Sequence, residues 1–67
     1  MTYNKYMAAA NLTTRLISGD FSGAAAQFLK LPMTGRAEVL KLVERANAKS
    51  DFDTFQRYVR IRESKSA

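Results

Sequence analysis

Hydrophobic positions recur every three to four residues along most of this chain, and three short breaks interrupt the rhythm. The breaks fall at Gly19-Asp20, at Leu31 to Gly35 and at Lys49 to Asp51. The first segment predicts a helix from about Tyr3 to Ser18. Tyr3, Tyr6, Met7, Ala10, Thr14 and Ile17 follow the spacing of one helical face, and Asn4, Asn11, Arg15 and Ser18 form a polar stripe. Thr2 is placed to cap this helix, with Met1 and Tyr6 as a hydrophobic staple across its first turn. Gly19 is placed to end it, because a residue just past a helix often takes the left-handed conformation that glycine adopts without strain.

The second segment, Phe21 to about Leu31, is short and apolar, with Asp20 or Ser22 as its cap. Ala24, Ala25, Phe28, Leu29 and Leu31 leave it little polar surface, so the pattern predicts burial in the core or against a partner. Pro32 sets its end by disfavouring the helical region for the residue before it. The third segment predicts a helix from Gly35 to about Lys49, capped by Thr34. Its apolar positions are Ala37, Leu40, Leu42, Val43 and Ala46, and Glu38 and Lys41 form a pair of opposite sign three residues apart.

The fourth segment runs from Ser50 or Asp51 to about Glu63. Asp51 and Asp53 sit in its first turn and Arg57, Arg60 and Arg62 towards its end, which suits the helix dipole at both termini. Phe52, Phe55, Tyr58 and Val59 give it an apolar face. Tyr58 to Arg62 also alternates as a strand would, but no other segment offers a strand to pair with. Ser64 to Ala67 reads as a frayed tail. These segments predict one all-α domain over residues 1–63, three or four short helices in a compact bundle or an open array supported by a partner. Its core is expected to draw on Tyr6, Met7, Ala10, Ile17, Phe21, Phe28, Leu40, Val43, Phe52, Phe55 and Val59.

Size and composition then narrow the chemistry. A chain of 67 residues buries only about 60% of its unfolded surface, and such domains usually gain stability from cross-links, metals or association. The sequence has no cysteine and no histidine, which removes disulfides, thiolate metal sites and the commonest transition-metal ligand. Docking on a larger protein and self-association are the routes that remain beside good helix packing. No apolar run approaches the roughly 20 residues of a membrane span.

Catalytic arrangements are missing as well. Asp51 and Asp53 are two apart and do not share a helix face, and Gly19, Gly23 and Gly35 are scattered instead of forming a phosphate loop. The expectation is a protein that is not an enzyme and needs no cofactor. The first 19 residues carry no acidic side chain, a trait shared with mitochondrial presequences, but an ordinary first helix is the favoured reading. The lack of a basic stretch before an apolar run argues against a secretory signal, so a cytoplasmic or other intracellular location is expected.

Two candidate sites emerge. The first is the tyrosine–alanine face Tyr3, Tyr6, Met7 and Ala10, which mixes large amphipathic anchors with small contacts in the manner of a docking surface. Phe28, from the apolar second segment expected to be buried in the core or against a partner, joins it. The second is a basic, aromatic-interleaved set: Arg45, Lys49, Arg57, Tyr58, Arg60 and Arg62. Here the cations would contact phosphates and Tyr58 would stack on a base. The net charge of +5 suits either nucleic acid or an acidic protein. A helix-turn-helix over the last two segments is disfavoured. Its turn, Ala48 to Ser50, has no glycine, and Asp51 and Asp53 would lead the recognition helix into phosphates. Attachment to a membrane surface is weaker still, since the polar face of the first helix is asparagine and threonine rather than lysine.

The N-terminal run Met1 to Tyr6, followed by Ala10 and Arg15, resembles the tyrosine-rich first helix of the epsilon subunit of mitochondrial ATP synthase. The resemblance covers the first 17 residues. It lacks the tryptophan-containing stretch that precedes the family's tyrosines, and the last 35 residues read as more helical than that family. It implies a small basic subunit that docks on the central stalk of the enzyme. Taken together, the sequence leads to the expectation of a non-enzymatic accessory protein that docks on a larger assembly, with nucleic-acid binding as the alternative.

Overall fold

The breaks in the pattern become the turns of the structure, a computed structural model that describes residues 4–66. Four helices occupy those residues, with no strand among them: α1 (Lys5–Ile17), α2 (Phe21–Leu29), α3 (Met33–Ala46) and α4 (Lys49–Ser66). The alternation at Tyr58 to Arg62 is therefore helical. Each turn has a specific chemical cause.

Asn4 caps α1, its side-chain oxygen accepting from the backbone N–H groups of Tyr6 at 2.9 Å and Met7 at 3.2 Å. The helix begins two residues later than expected, and the expected Thr2 cap and Met1 staple lie outside the described residues. Gly19, at φ +84°, ends α1 as expected. Its N–H donates to the Leu16 carbonyl at 3.1 Å and that of Asp20 to the Arg15 carbonyl at 2.8 Å, the paired bonds of a Schellman cap. Asp20 then caps α2 by accepting from the Gly23 N–H at 3.0 Å. A Cβ on Gly23 would fall 2.7 Å from the Asp20 Cγ, so a larger residue there would require the capping side chain to shift.

At the far end of α2 the guanidinium of Arg36 donates to the carbonyls of Leu29 at 2.6 Å and Leu31 at 3.2 Å. These acceptors have no partner within the helix, and a cation at this end also suits the dipole. The expected Thr34 cap is not formed. Pro32 occupies the N-cap with φ −57° and ψ 137°, no side chain caps the helix, and the next residue is already helical, so Thr34 falls inside the first turn of α3. Asn47, fully extended, stops α3 three residues before the expected end. Its amide nitrogen donates to the Val43 carbonyl at 2.8 Å and to the Thr13 hydroxyl at 3.2 Å. The helix α4 starts at Lys49 and continues through Ser64 and Lys65 to Ser66, beyond the expected end at Glu63; Ala67 lies outside the described residues.

The helices pack in two pairs. In α1 and α3 the residue numbers rise together, Lys5 meeting Glu38 and Thr13 meeting Asn47, so these helices run parallel. In α2 and α4 they run oppositely, Phe21 lying against Tyr58 and Phe28 against Phe55. The core joins both pairs: Ala9, Leu12 and Leu16 of α1, Ala24, Ala25 and Phe28 of α2, Val39 and Val43 of α3, and Phe52, Phe55 and Val59 of α4. Phe21 and Leu40 pack at its edge. The radius of gyration is 11.0 Å, close to the roughly 11 Å of a compact chain of this length. The molecule is thus a bundle and not an open array.

The largest departure from the sequence reading is in α1. Tyr6, Met7 and Ile17, expected in the core, are 65%, 64% and 76% exposed, and Ala10 is exposed too. The buried stripe is Ala9, Leu12 and Leu16, about 130° around the helix from those positions. Two branched aliphatic side chains and an alanine fit the space against α2 and α3. Tyrosines placed there would bring hydroxyls into a core that holds no buried polar side chain among the described residues.

A candidate docking face on the first and third helices

Because α1 and α3 lie side by side and parallel, a groove runs along their outer seam. Tyr6, Ala9, Ala10, Thr13 and Thr14 line it from α1, and Leu42 and Ala46 from α3, enclosing about 490 Å³. The small side chains make it. Alanine at positions 9, 10 and 46 lets neither wall rise, and the Thr14 hydroxyl is satisfied by the Ala10 carbonyl at 3.0 Å. Asn47 closes one end through its bond to Thr13. Tyr6 stands at the other.

Beyond Tyr6 and Leu42 the seam opens into a smaller depression of about 160 Å³, lined also by Lys5, Glu38, Lys41 and Arg45. Lys5 bonds Glu38 at 2.8 Å across the two helices, and its ammonium lies 5.3 Å from the centre of the Tyr6 ring. The hydrogen bond from Lys5, helped by its charge and that of Lys41, holds the Glu38 carboxyl below the usual glutamate range. Neither Lys41 nor Arg45 lies within ion-pair distance of a carboxylate among the described residues. An apolar groove therefore leads into a rim with three cations and one carboxylate.

Of the residues expected in a docking site, Tyr6 and Ala10 line this groove and Met7 is exposed beside it. Tyr3 lies outside the described residues. Phe28 does not belong to the face. It is 6% exposed and packs edge-on against Phe55 at 5.6 Å, because α2 satisfies its apolar surface within the bundle. Arg45, expected among the phosphate contacts, joins the rim of the seam instead. From sequence, Leu42 and Ala46 belong to the apolar side of their helix; their spacing of four gives a shared face, but not that α1 lies beside it.

The remaining basic residues diverge. On a helix, Arg60 and Arg62 are about 200° apart. Arg60 faces a groove of about 270 Å³ between α3 and α4, with Phe28, Arg36, Leu40 and Glu63. Arg62 turns the other way and donates to the Ser22 hydroxyl at 3.0 Å, beside Tyr58 and Lys65. Arg57 is exposed on the outer face, and Lys49 is at the start of α4, about 16 Å along the axis from Arg60. Tyr58 stacks on Phe21 with ring centres 6.1 Å apart and planes 15° apart, so one of its faces is covered. No helix of the described residues is long and apolar enough to cross a membrane. No protein family, curated protein or solved structure matches this chain.

Proposed function

We propose that this protein is a non-enzymatic accessory that docks on a larger protein through the α1–α3 seam. The observation that carries the reading is the orientation of α1. Its leucines turn inward and satisfy the bundle, while Tyr6, Met7 and Ala10 are left on the surface beside an apolar groove. A large apolar side chain costs free energy in water, and several together on a small protein mark an interaction surface. The epsilon-like reading is a particular case, in which the larger protein would be a rotary enzyme's stalk.

Nucleic-acid binding is the alternative, and the net charge of +5 favours it. Its candidate cations point in different directions from α4, which supports it less than the seam supports docking. The two are separated by capture from the native lysate with tagged protein, with and without nuclease, using wild type and Ala10→Arg. Ala10 is exposed, so arginine there fills the groove without entering the core. Proteins retained after nuclease and lost with Ala10→Arg are the expected result. Material that disappears with nuclease, whichever variant is used, would transfer the function to α4.

A further inference from the structure

The proposal of a docking seam leaves open what lies in it, and the charge around the seam answers this. We infer that the occupant is an amphipathic α-helix whose apolar stripe is flanked by acidic residues; the inference rests on the docking reading above. Two parallel helices present a furrow between them, and its lining of alanine and threonine side chains lets a third helix backbone approach closely. The lining runs from Tyr6 to Thr14 of α1, so the furrow is about 12 Å long and accommodates about two turns of an incoming helix. Tyr6 and Leu42 are the anchors that such a helix would straddle.

The rim selects the charge. Lys41 and Arg45 have no carboxylate within ion-pair distance among the described residues, and Lys5 shares the single carboxylate of Glu38. An acidic flank on the incoming helix would complement them. A second copy of this chain offers no such flank, because α1 carries no acidic residue and Glu38, the one carboxylate on the rim, is already bonded to Lys5. A basic helix is excluded on the same ground.

The test is a selection on the immobilised full chain from a randomised library of displayed helical peptides about four turns long, followed by affinity measurement on the winners. Expected winners have apolar residues at i, i+3, i+4 and i+7 with Asp or Glu alongside. Their affinity should fall at least roughly a hundredfold with Ala10→Arg and roughly tenfold, with a weaker salt dependence, with Lys41→Glu/Arg45→Glu. Circular dichroism of both variants checks that the bundle persists. Winners that need Ala10 but lack acidic flanks, or ignore Lys41→Glu/Arg45→Glu, would overturn the acidic helix and leave the docking reading standing. A concentration-dependent dimer of the wild type, lost with Ala10→Arg, would also overturn it, in favour of a second copy. No enrichment over the Ala10→Arg chain would remove both the occupant and the seam as a docking site.

Discussion

The two helix pairs are built from different materials. The α2–α4 pair is aromatic: Phe28 meets Phe55 edge to face, Phe52 tilts against Phe55 at 6.3 Å, and Phe21 and Tyr58 stack at the margin. The α1–α3 pair is aliphatic and small, with Ala9, Leu12, Leu16, Val39 and Val43 at its interface. Aromatic side chains bury the most surface per residue, so three phenylalanines anchor one pair firmly. Small side chains hold the other pair together but cannot fill its outer seam, and the tyrosine and methionine of α1 stay outside. The difference sets stability beside recognition: one pair holds the aromatic bulk of the core, the other the exposed groove.

Substitutions can break or sharpen that division. The largest effect is expected for Phe55→Ala, which removes a fully buried ring from the centre of the aromatic pair. It should cost about 3–5 kcal/mol, close to the whole stability of a domain this small, and abolish cooperative thermal unfolding followed by circular dichroism. Leu12→Ala, equally buried in the aliphatic pair, should cost about 3 kcal/mol by urea titration. If Leu12→Ala proved the more damaging of the two, cohesion would not be concentrated in the aromatic pair.

Gly19→Ala should cost about 1–2 kcal/mol. Nothing lies within 4 Å of the added methyl, so the cost is that of holding an L-residue at φ +84°. Ile17→Ala, at a site that the sequence places in the core and the structure leaves 76% exposed, should change stability by less than about 0.5 kcal/mol.

The smallest effect is in the pH response. The Gly23 N–H and the Arg15 guanidinium, 2.8 Å away, hold the Asp20 carboxyl below its ordinary value. Its ionised form is the one the fold favours, so its contribution is complete above the ordinary value of about 3.9. The contribution is lost as pH falls through the lowered folded-state value. Asp20→Asn keeps a capping oxygen but no charge, and should flatten the acid limb of urea stability against pH while changing stability modestly at neutral pH.

The punctuation of the chain was legible because it is local. Gly19 ends a helix and Asp20 starts one for reasons contained within a few residues, and Pro32 bars the helical region to Leu31 wherever they occur. The aromatic face of α4 was legible too, since Phe52, Phe55 and Val59 have no rival stripe. In α1 two apolar stripes compete, and the one with larger side chains looked like core. Only the width of the space left by α2 and α3 decides between them, and that width is a property of the assembled bundle. Val39 is buried completely, although the sequence reading places only Leu40 and Val43 of α3 in the core. The Tyr6 and Ala10 parts of the seam were legible as a surface of mixed large and small contacts, whereas Leu42, Ala46 and the rim role of Arg45 follow from which helices become neighbours.

That neighbour relation has a consequence for how the chain can be divided. The first helix pairs with the third and the second with the fourth, so each partnership spans an intervening helix of the other. A cut in the turn around Pro32 would not release two hairpins able to survive alone. It would yield two fragments, each holding one helix of both partnerships and a complete set of neither, which should recover structure only on meeting each other. The protein therefore has no smaller folding unit to be trimmed to, and mixing the two fragments should rebuild the seam and the aromatic cluster in the same step.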